Sequence, residues 1–206
     1  MKVLIACEYS GTVRDAFIAR GHNAISCDLL PTEIPGPHYQ GSVLDILNDG
    51  FDIMIAHPPC TYLSFAANKY WNTPGRSAKR IEALSFFNIL LCANIPKICI
   101  ENPIGCADLI IRKHDQIIHP YYFGESAYKR TCLWLKNLPK LSYDLEDNLF
   151  TTRSATDKPE PVYIDKSGKH RHFVDAVGGY KGEGSSFKKR SKFFKSVAEA
   201  MAEQWT

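Results

Sequence analysis

The sequence predicts an α/β domain with a doubly wound, mostly parallel sheet. Three observations carry this: short apolar runs that stop at turn residues, a helix-periodic stretch between two of them, and a length of 206 residues, enough for one sizeable core. Asp52-Ile53-Met54-Ile55-Ala56 is apolar and short, like an interior strand of a parallel sheet, and the prolines at 58 and 59 stop it. Lys97-Ile98-Cys99-Ile100 repeats the pattern ahead of Glu101-Asn102-Pro103. Between them, Ser77 to Ala93 sets Ile81, Leu84, Phe87, Leu90 and Leu91 at helical spacing. A strand, a helix and a strand of these lengths form a right-handed crossover, which places the two strands close together and parallel. The chain opens with a similar unit: Lys2 to Cys7 as a strand, Glu8-Tyr9-Ser10-Gly11 as a turn and Val13 to Arg20 as a helix. Ala24 to Cys27 is a further strand, ending at Asp28.

In open α/β sheets, ligands bind outside the carboxyl ends of the strands. Cys60, in the segment AHPPCTYLS, falls at such an end, either as a nucleophile or as one of seven cysteines set at a turn for steric reasons. Glu101 falls at the end of the next strand, so a thiol and a carboxyl group converge on one rim.

These two motifs resemble those of the DNA cytosine carbon-5 methyltransferases. Pro58-Pro59-Cys60 is similar to the family's nucleophile motif, with Ser64 matching the serine that closes it, and Glu101-Asn102-Pro103 is similar to its ENV motif. The resemblance implies the fold of S-adenosylmethionine-dependent methyltransferases. It implies Cys60 as the nucleophile that adds to carbon-6 of a flipped-out cytosine, and Glu101 as the acid that holds and protonates the base. Pro58, Pro59 and Asn102 then shape the backbone at the site. Carbon-5 is a poor nucleophile until a covalent adduct raises its electron density, which is why a soft nucleophile and a proton-sharing acid are both needed. The opening strand and turn, Cys7-Glu8-Tyr9-Ser10-Gly11, resemble the family's cofactor turn; Gly11 matches its first glycine, and Thr12, Val13 and Arg14 replace the later ones.

The same resemblance implies that Asp28 and the adjacent Leu29 contact the cofactor, with the Asp28 carboxylate on the ribose hydroxyls; by pattern alone Asp28 is equally a loop residue or a helix cap. Ser42 stands where the family carries an acid near the adenine, and Asp45 either substitutes for it or caps a short helix. Arg130 matches the last arginine of the family's QxRxR motif and is implied to support base or phosphate; structurally, Lys129 and Arg130 also read as a solvated strand entrance. The final helix is expected from about Phe187 to Trp205. Its basic start, Lys188-Lys189-Arg190, is either a phosphate contact or a solvated charge run, and Ser191 is implied to line the cofactor pocket.

Family members that read a DNA sequence carry a recognition domain between the QxRxR strand and the final helix. Here only a reduced hairpin and loop insertion, at about 136–186, fills that interval, within a single domain over residues 1–206. The hairpin is expected from Val162 to Asp165 and His170 to Val174. DNA is the expected partner, with a protein partner or a second copy supplying target recognition. Net charge is +3, so a DNA footprint must come from local clustering, such as the nine Lys and Arg between Lys166 and Lys195. An odd cysteine count suggests a reducing cytoplasm, that of a host cell if the chain is phage-encoded. The apolar start is too short for a signal peptide, no stretch is long enough to span a membrane, and no ligand ladder suggests a metal. Two alternatives stay open: an enzyme acting on single-stranded nucleic acid or a nucleotide, and a non-catalytic protein that uses the fold to bind cofactor, DNA or a partner.

Overall fold

Side chains alternate across a central sheet so that both faces are apolar, and helices cover each. The structure, a computed structural model, describes residues 1–143, 156–161, 163–164, 168, 170–171 and 193–206. Strands β1 (Lys2–Ala6), β2 (Asn23–Asp28), β3 (His38–Gln40), β4 (Ile53–Ala56) and β5 (Lys97–Asn102) run parallel. Two later strands, β6 (Gln116–Ile118) and β7 (Thr131–Lys136), complete the order β3-β2-β1-β4-β5-β7-β6. β7 is antiparallel to both its neighbours. The doubly wound, mostly parallel α/β sheet expected from the sequence is therefore present, with one reversed strand inserted beside β5.

Val3, Ile5, Ile53, Ile55 and Cys99 face α1 (Thr12–Ala19) and the C-terminal helix, where Val13, Phe17, Val197 and Met201 meet them. Leu4, Met54, Ile98 and Ile100 face the opposite layer, built by α2 (Val43–Ile46), α3 (Arg76–Leu91) and the short α4 (Ala107–Ile110). Trp134, from β7, anchors this second layer: its ring meets Phe87 edge-on at 5.0 Å and its Nε1 donates to the Arg112 carbonyl at 2.8 Å.

Two expectations need correction. The final helix, α5 (Lys195–Gln204), begins at Lys195 rather than near Phe187, because Phe194 has an extended backbone and the half-buried rings of Phe193 and Phe194 dock on the α1/α5 core ahead of the first turn. Lys188, Lys189, Arg190 and Ser191 thus precede the helix and lie outside the described residues. In α3, Ile81 is 68% exposed and Arg80 takes the centre of the buried face in its place. The expected hairpin is present as β8 (Tyr163–Ile164) paired antiparallel with β9 (His170–Arg171); Val162, Asp165 and 172–174 lie outside the described residues. Edge strands β3 and β6, each of three residues, carry too short a pattern to announce themselves.

Candidate functional site

Four of the five parallel strands, β1, β2, β4 and β5, bring their carboxyl ends to one rim, and β7, running the other way, brings its beginning there. The chain builds outward from β1 to β2 and β3, then returns to β4 and β5 on the other side, so the crevice between the ends of β1 and β4 is the topological switch point. Segments 7–11, 57–60, 101–102 and 129–131 all reach this rim.

Cys60 is exposed in the turn that follows β4, and its carbonyl accepts the amides of Leu63 and Ser64 at 3.1 and 2.9 Å. Asn102 reaches across from β5: its Nδ2 donates to the Pro58 carbonyl at 2.8 Å in a buried bond. A second seam lies farther along. Ser64 bridges Gly105, Cys106 N donates to the Leu63 carbonyl at 2.9 Å, and a Cβ on Gly105 would run into that same carbonyl. The Ser64 hydroxyl accepts from Ala66 N at 3.1 Å and so shapes the turn. Pro59, like Cys60, is exposed.

Glu101 is 8% exposed and faces the α5 side of the sheet. Its Oε2 lies 3.5 Å from His57 Nδ1 and its Oε1 3.9 Å from Lys129 Nζ. Burial pushes its pKa up, but the Lys129 charge, the His57 contact and the Thr131 hydroxyl outweigh this and bring it down to about 2. Glu101 is consequently a carboxylate at neutral pH. The His57 ring lies against Phe193, centres 4.8 Å apart, and its buried Nε2 finds no hydrogen-bond partner among the described residues. Glu101, Lys129, Thr131, Phe193 and Phe194 line a small pocket here with Ile118. Lys129, rather than Arg130, reaches the carboxylate; Arg130 is exposed, with its charge felt by Cys132. His57 and Lys129 were not among the expected site residues. Alternation along the strand leading into β7 was the available signal: Lys129 and Thr131 fall on one side and Arg130 on the other.

On the β1/β2 side the turn is filled by the chain itself. Cys7 takes a left-handed backbone, φ 59°, and burial, with Asp28 next, pushes its thiol up to about 12. Glu8 is buried, and its carboxylate accepts Val13 N at 2.8 Å, Arg14 N at 3.2 Å and the Ser10 hydroxyl at 2.9 Å. The amides at the start of α1 are thus capped by an anion from the same turn. Gly11, φ 79°, lies against the Arg14 guanidinium, which is fully buried and donates to Ser26, Thr32, Ile34 and Asp15. Tyr9 is buried, and its carbonyl accepts Glu33 N at 2.8 Å, which folds the loop after β2 back onto this turn. Asp28 ends β2 half-buried, with one oxygen taken by Leu30 N at 2.9 Å; Leu29 is 73% exposed. Ser42 caps α2 by accepting Leu44 N, and Asp45 accepts the Tyr39 hydroxyl at 3.2 Å.

Asp108, His114 and Cys132 come within 4.8 Å of one another on the opposite face from Glu101. Asp108 accepts both His114 Nδ1, at 2.7 Å, and His114 N, at 2.9 Å, and the Cys132 thiol is pushed up to about 12, first by burial and then by Asp108. The grouping is explained as a lock on the turn before β6.

No family model matches the chain, and no curated protein matches it. Among solved structures it is similar to one described as a DNA modification methyltransferase encoded within an E. coli prophage, with 14% identity and a TM-score of 0.41 over 65% of this chain and 45% of that one. It is also similar to a methyltransferase of Entamoeba histolytica, with 17% identity and a TM-score of 0.47 over 78% of this chain and 58% of that one. The chain spans about half the length of these structures. No helix among the described residues is long and apolar enough to cross a membrane.

Proposed function

We propose that the chain is an S-adenosylmethionine-dependent methyltransferase that modifies carbon-5 of cytosine in DNA through a covalent adduct at Cys60. The observation that carries this reading is the buried bond from Asn102 to Pro58, which ties the cysteine turn to the glutamate turn and holds an exposed thiol and a buried carboxylate on one rim.

The β1–β3 half of the rim also suits such a cofactor. Glu8 already occupies the α1 amides, so a pyrophosphate would meet a carboxylate there rather than free N–H groups. A ligand without phosphate and with a positive centre avoids that conflict. Asp28, at the end of β2, is the acceptor for ribose hydroxyls, and Asp45 beside Ser42 is the acid nearest an adenine position. When bound, S-adenosylmethionine supplies an electrophilic methyl group.

Cys60, as thiolate, forms a bond to carbon-6 of the extruded cytosine, and the electron pair of the 5,6 double bond moves to carbon-5. Glu101 enters as a carboxylate and first accepts a hydrogen bond from the exocyclic amine. Protonation of ring nitrogen-3 requires that Glu101 regain a proton, and His57 and Lys129 are the neighbours that carry exchangeable ones. After methylation, carbon-5 gives its proton to solvent, the pair of that bond re-forms the 5,6 double bond as the carbon–sulfur bond breaks, and nitrogen-3 returns its proton to Glu101, which frees Cys60 as a thiolate and restores the ring.

DNA containing 5-fluorocytosine tests this directly, because fluorine cannot leave as a proton. With S-adenosylmethionine present, wild type should form a denaturation-resistant DNA complex and Cys60→Ala should not. Turnover of normal DNA without an adduct at Cys60 would refute the assignment.

A further inference from the structure

From Ile53 to Ile81 the chain carries no Asp or Glu, yet Arg76, Lys79 and Arg80 fall within it together with Tyr62, Tyr70 and Trp71. The fold stacks these cations on the rings. The Arg76 guanidinium lies 5.0 Å from the Tyr62 ring centre and 5.9 Å from that of Tyr70, and Lys79 Nζ lies 5.6 Å from Tyr62. Arg80 lies 3.2 Å from the centre of Trp71. Arg76 also donates to the Thr61 carbonyl at 2.7 Å, which binds the group to the residue next to Cys60.

Among the described residues this group has no carboxylate partner; Arg76 and Arg80 donate to backbone carbonyls, of Thr61 and Trp71. Arg80 is more than nine-tenths buried, and its Nε has no hydrogen-bond partner among the described residues. Burying a guanidinium without a carboxylate is costly, and the nearest acid in sequence, Glu82, is exposed about half a turn round the helix. The N-terminus of α3 adds to the positive field: it starts at Gly75 with no side-chain cap and no acid in its first turn. Meanwhile Tyr70 and Trp71 stay 51% and 37% exposed.

We propose that this group is a cradle for single-stranded DNA. Unpaired bases stack on Tyr70 and Trp71, and the adjoining phosphates take the charges of Arg76, Lys79 and Arg80, with the target base beyond them at Cys60. The exposed part of each ring favours a strand whose own base faces are uncovered, which a duplex does not offer. The inference rests on the Cys60 rim being the place where a base is modified, and it makes the substrate an unpaired strand.

Tryptophan emission of the full chain reports the contact. Trp134 and Trp205 are 0% and 2% exposed, so quenching by a base belongs to Trp71. A short oligodeoxynucleotide containing one cytosine should quench emission and bind at least about tenfold tighter than its duplex. Trp71→Phe should keep the affinity and lose the quench. Trp71→Ala should weaken binding by about tenfold, and Lys79→Gln should flatten the salt slope by about 0.7. Both changes are at exposed positions, and Trp71→Phe keeps a ring against Arg80, so a loss of affinity in Trp71→Ala but not in Trp71→Phe reports stacking. Duplex binding as tight as single-strand binding, or quenching that survives Trp71→Phe, overturns the cradle. If the 5-fluorocytosine adduct forms as readily in Trp71→Ala as in wild type, the cradle falls and the methyltransferase reading stands. If strand binding follows Trp71 but no methyl group is transferred, the cradle stands and that reading falls.

Discussion

Glu101 is a carboxylate whose pKa burial alone would raise; Lys129, His57 and Thr131 reverse the outcome. Its pKa falls from 4.5 to about 2 on folding, so the folded state gains stability above the unfolded value and loses it as pH drops through the folded one. Urea denaturation followed against pH should therefore show stability declining from about pH 5 toward pH 2, and Lys129→Gln should make that decline shallower. An unchanged slope would show that Lys129 does not set the charge of Glu101. Cys60 and Glu101 were legible in the sequence because each follows a short apolar run. His57 and Lys129 were not, since their approach to Glu101 depends on a strand that enters the sheet backwards and on the ring of Phe193.

Between elements, the turn after β4 and the turn after β5 are joined at two seams, and the second requires bare backbone. Gly105→Ala would drive a methyl group into the Leu63 carbonyl, so a loss of about 1–3 kcal/mol in folding stability is expected together with loss of adduct formation at Cys60. Stability equal to wild type would mean the seam yields. The helix between these turns was legible in extent and misjudged in rotation. Spacing alone put Ile81 inward, but Trp71, from a loop whose path no periodicity reports, offers a face that takes Arg80 instead. The start of α5 was misjudged for a similar reason: a run of Lys and Arg continues the composition of a helix, while docking of Phe193 and Phe194 decides where the first turn begins.

For the molecule as a whole, the switch point divides the rim into an acidic half, with Glu8, Asp28 and Asp45, and a half that carries Lys129 on one face of the sheet and Arg76 and Lys79 on the other. Calorimetry should register that division. Asp28→Ala should weaken S-adenosylmethionine by about 1–3 kcal/mol, and Glu101→Gln should leave it nearly unchanged while slowing methyl transfer. Equal effects of both on cofactor affinity would count against it. The alternation of apolar strands and periodic helices made the parallel core readable in advance; the three-residue edges and the reversed strand were not, because their pairing is decided by neighbours far along the chain. The sequence also showed a glycine turn in which Arg14 replaces a later glycine, and the structure gives that replacement a meaning. The guanidinium fills the space above Gly11 and Gly36 alike, two positions twenty-five residues apart in sequence. A side chain at either place has to push that guanidinium aside, which breaks its bonds to Ser26, Thr32 and the Ile34 carbonyl. A change at 11 or at 36 is therefore felt at the other, because both press on one buried cation and on the four hydrogen bonds that hold it.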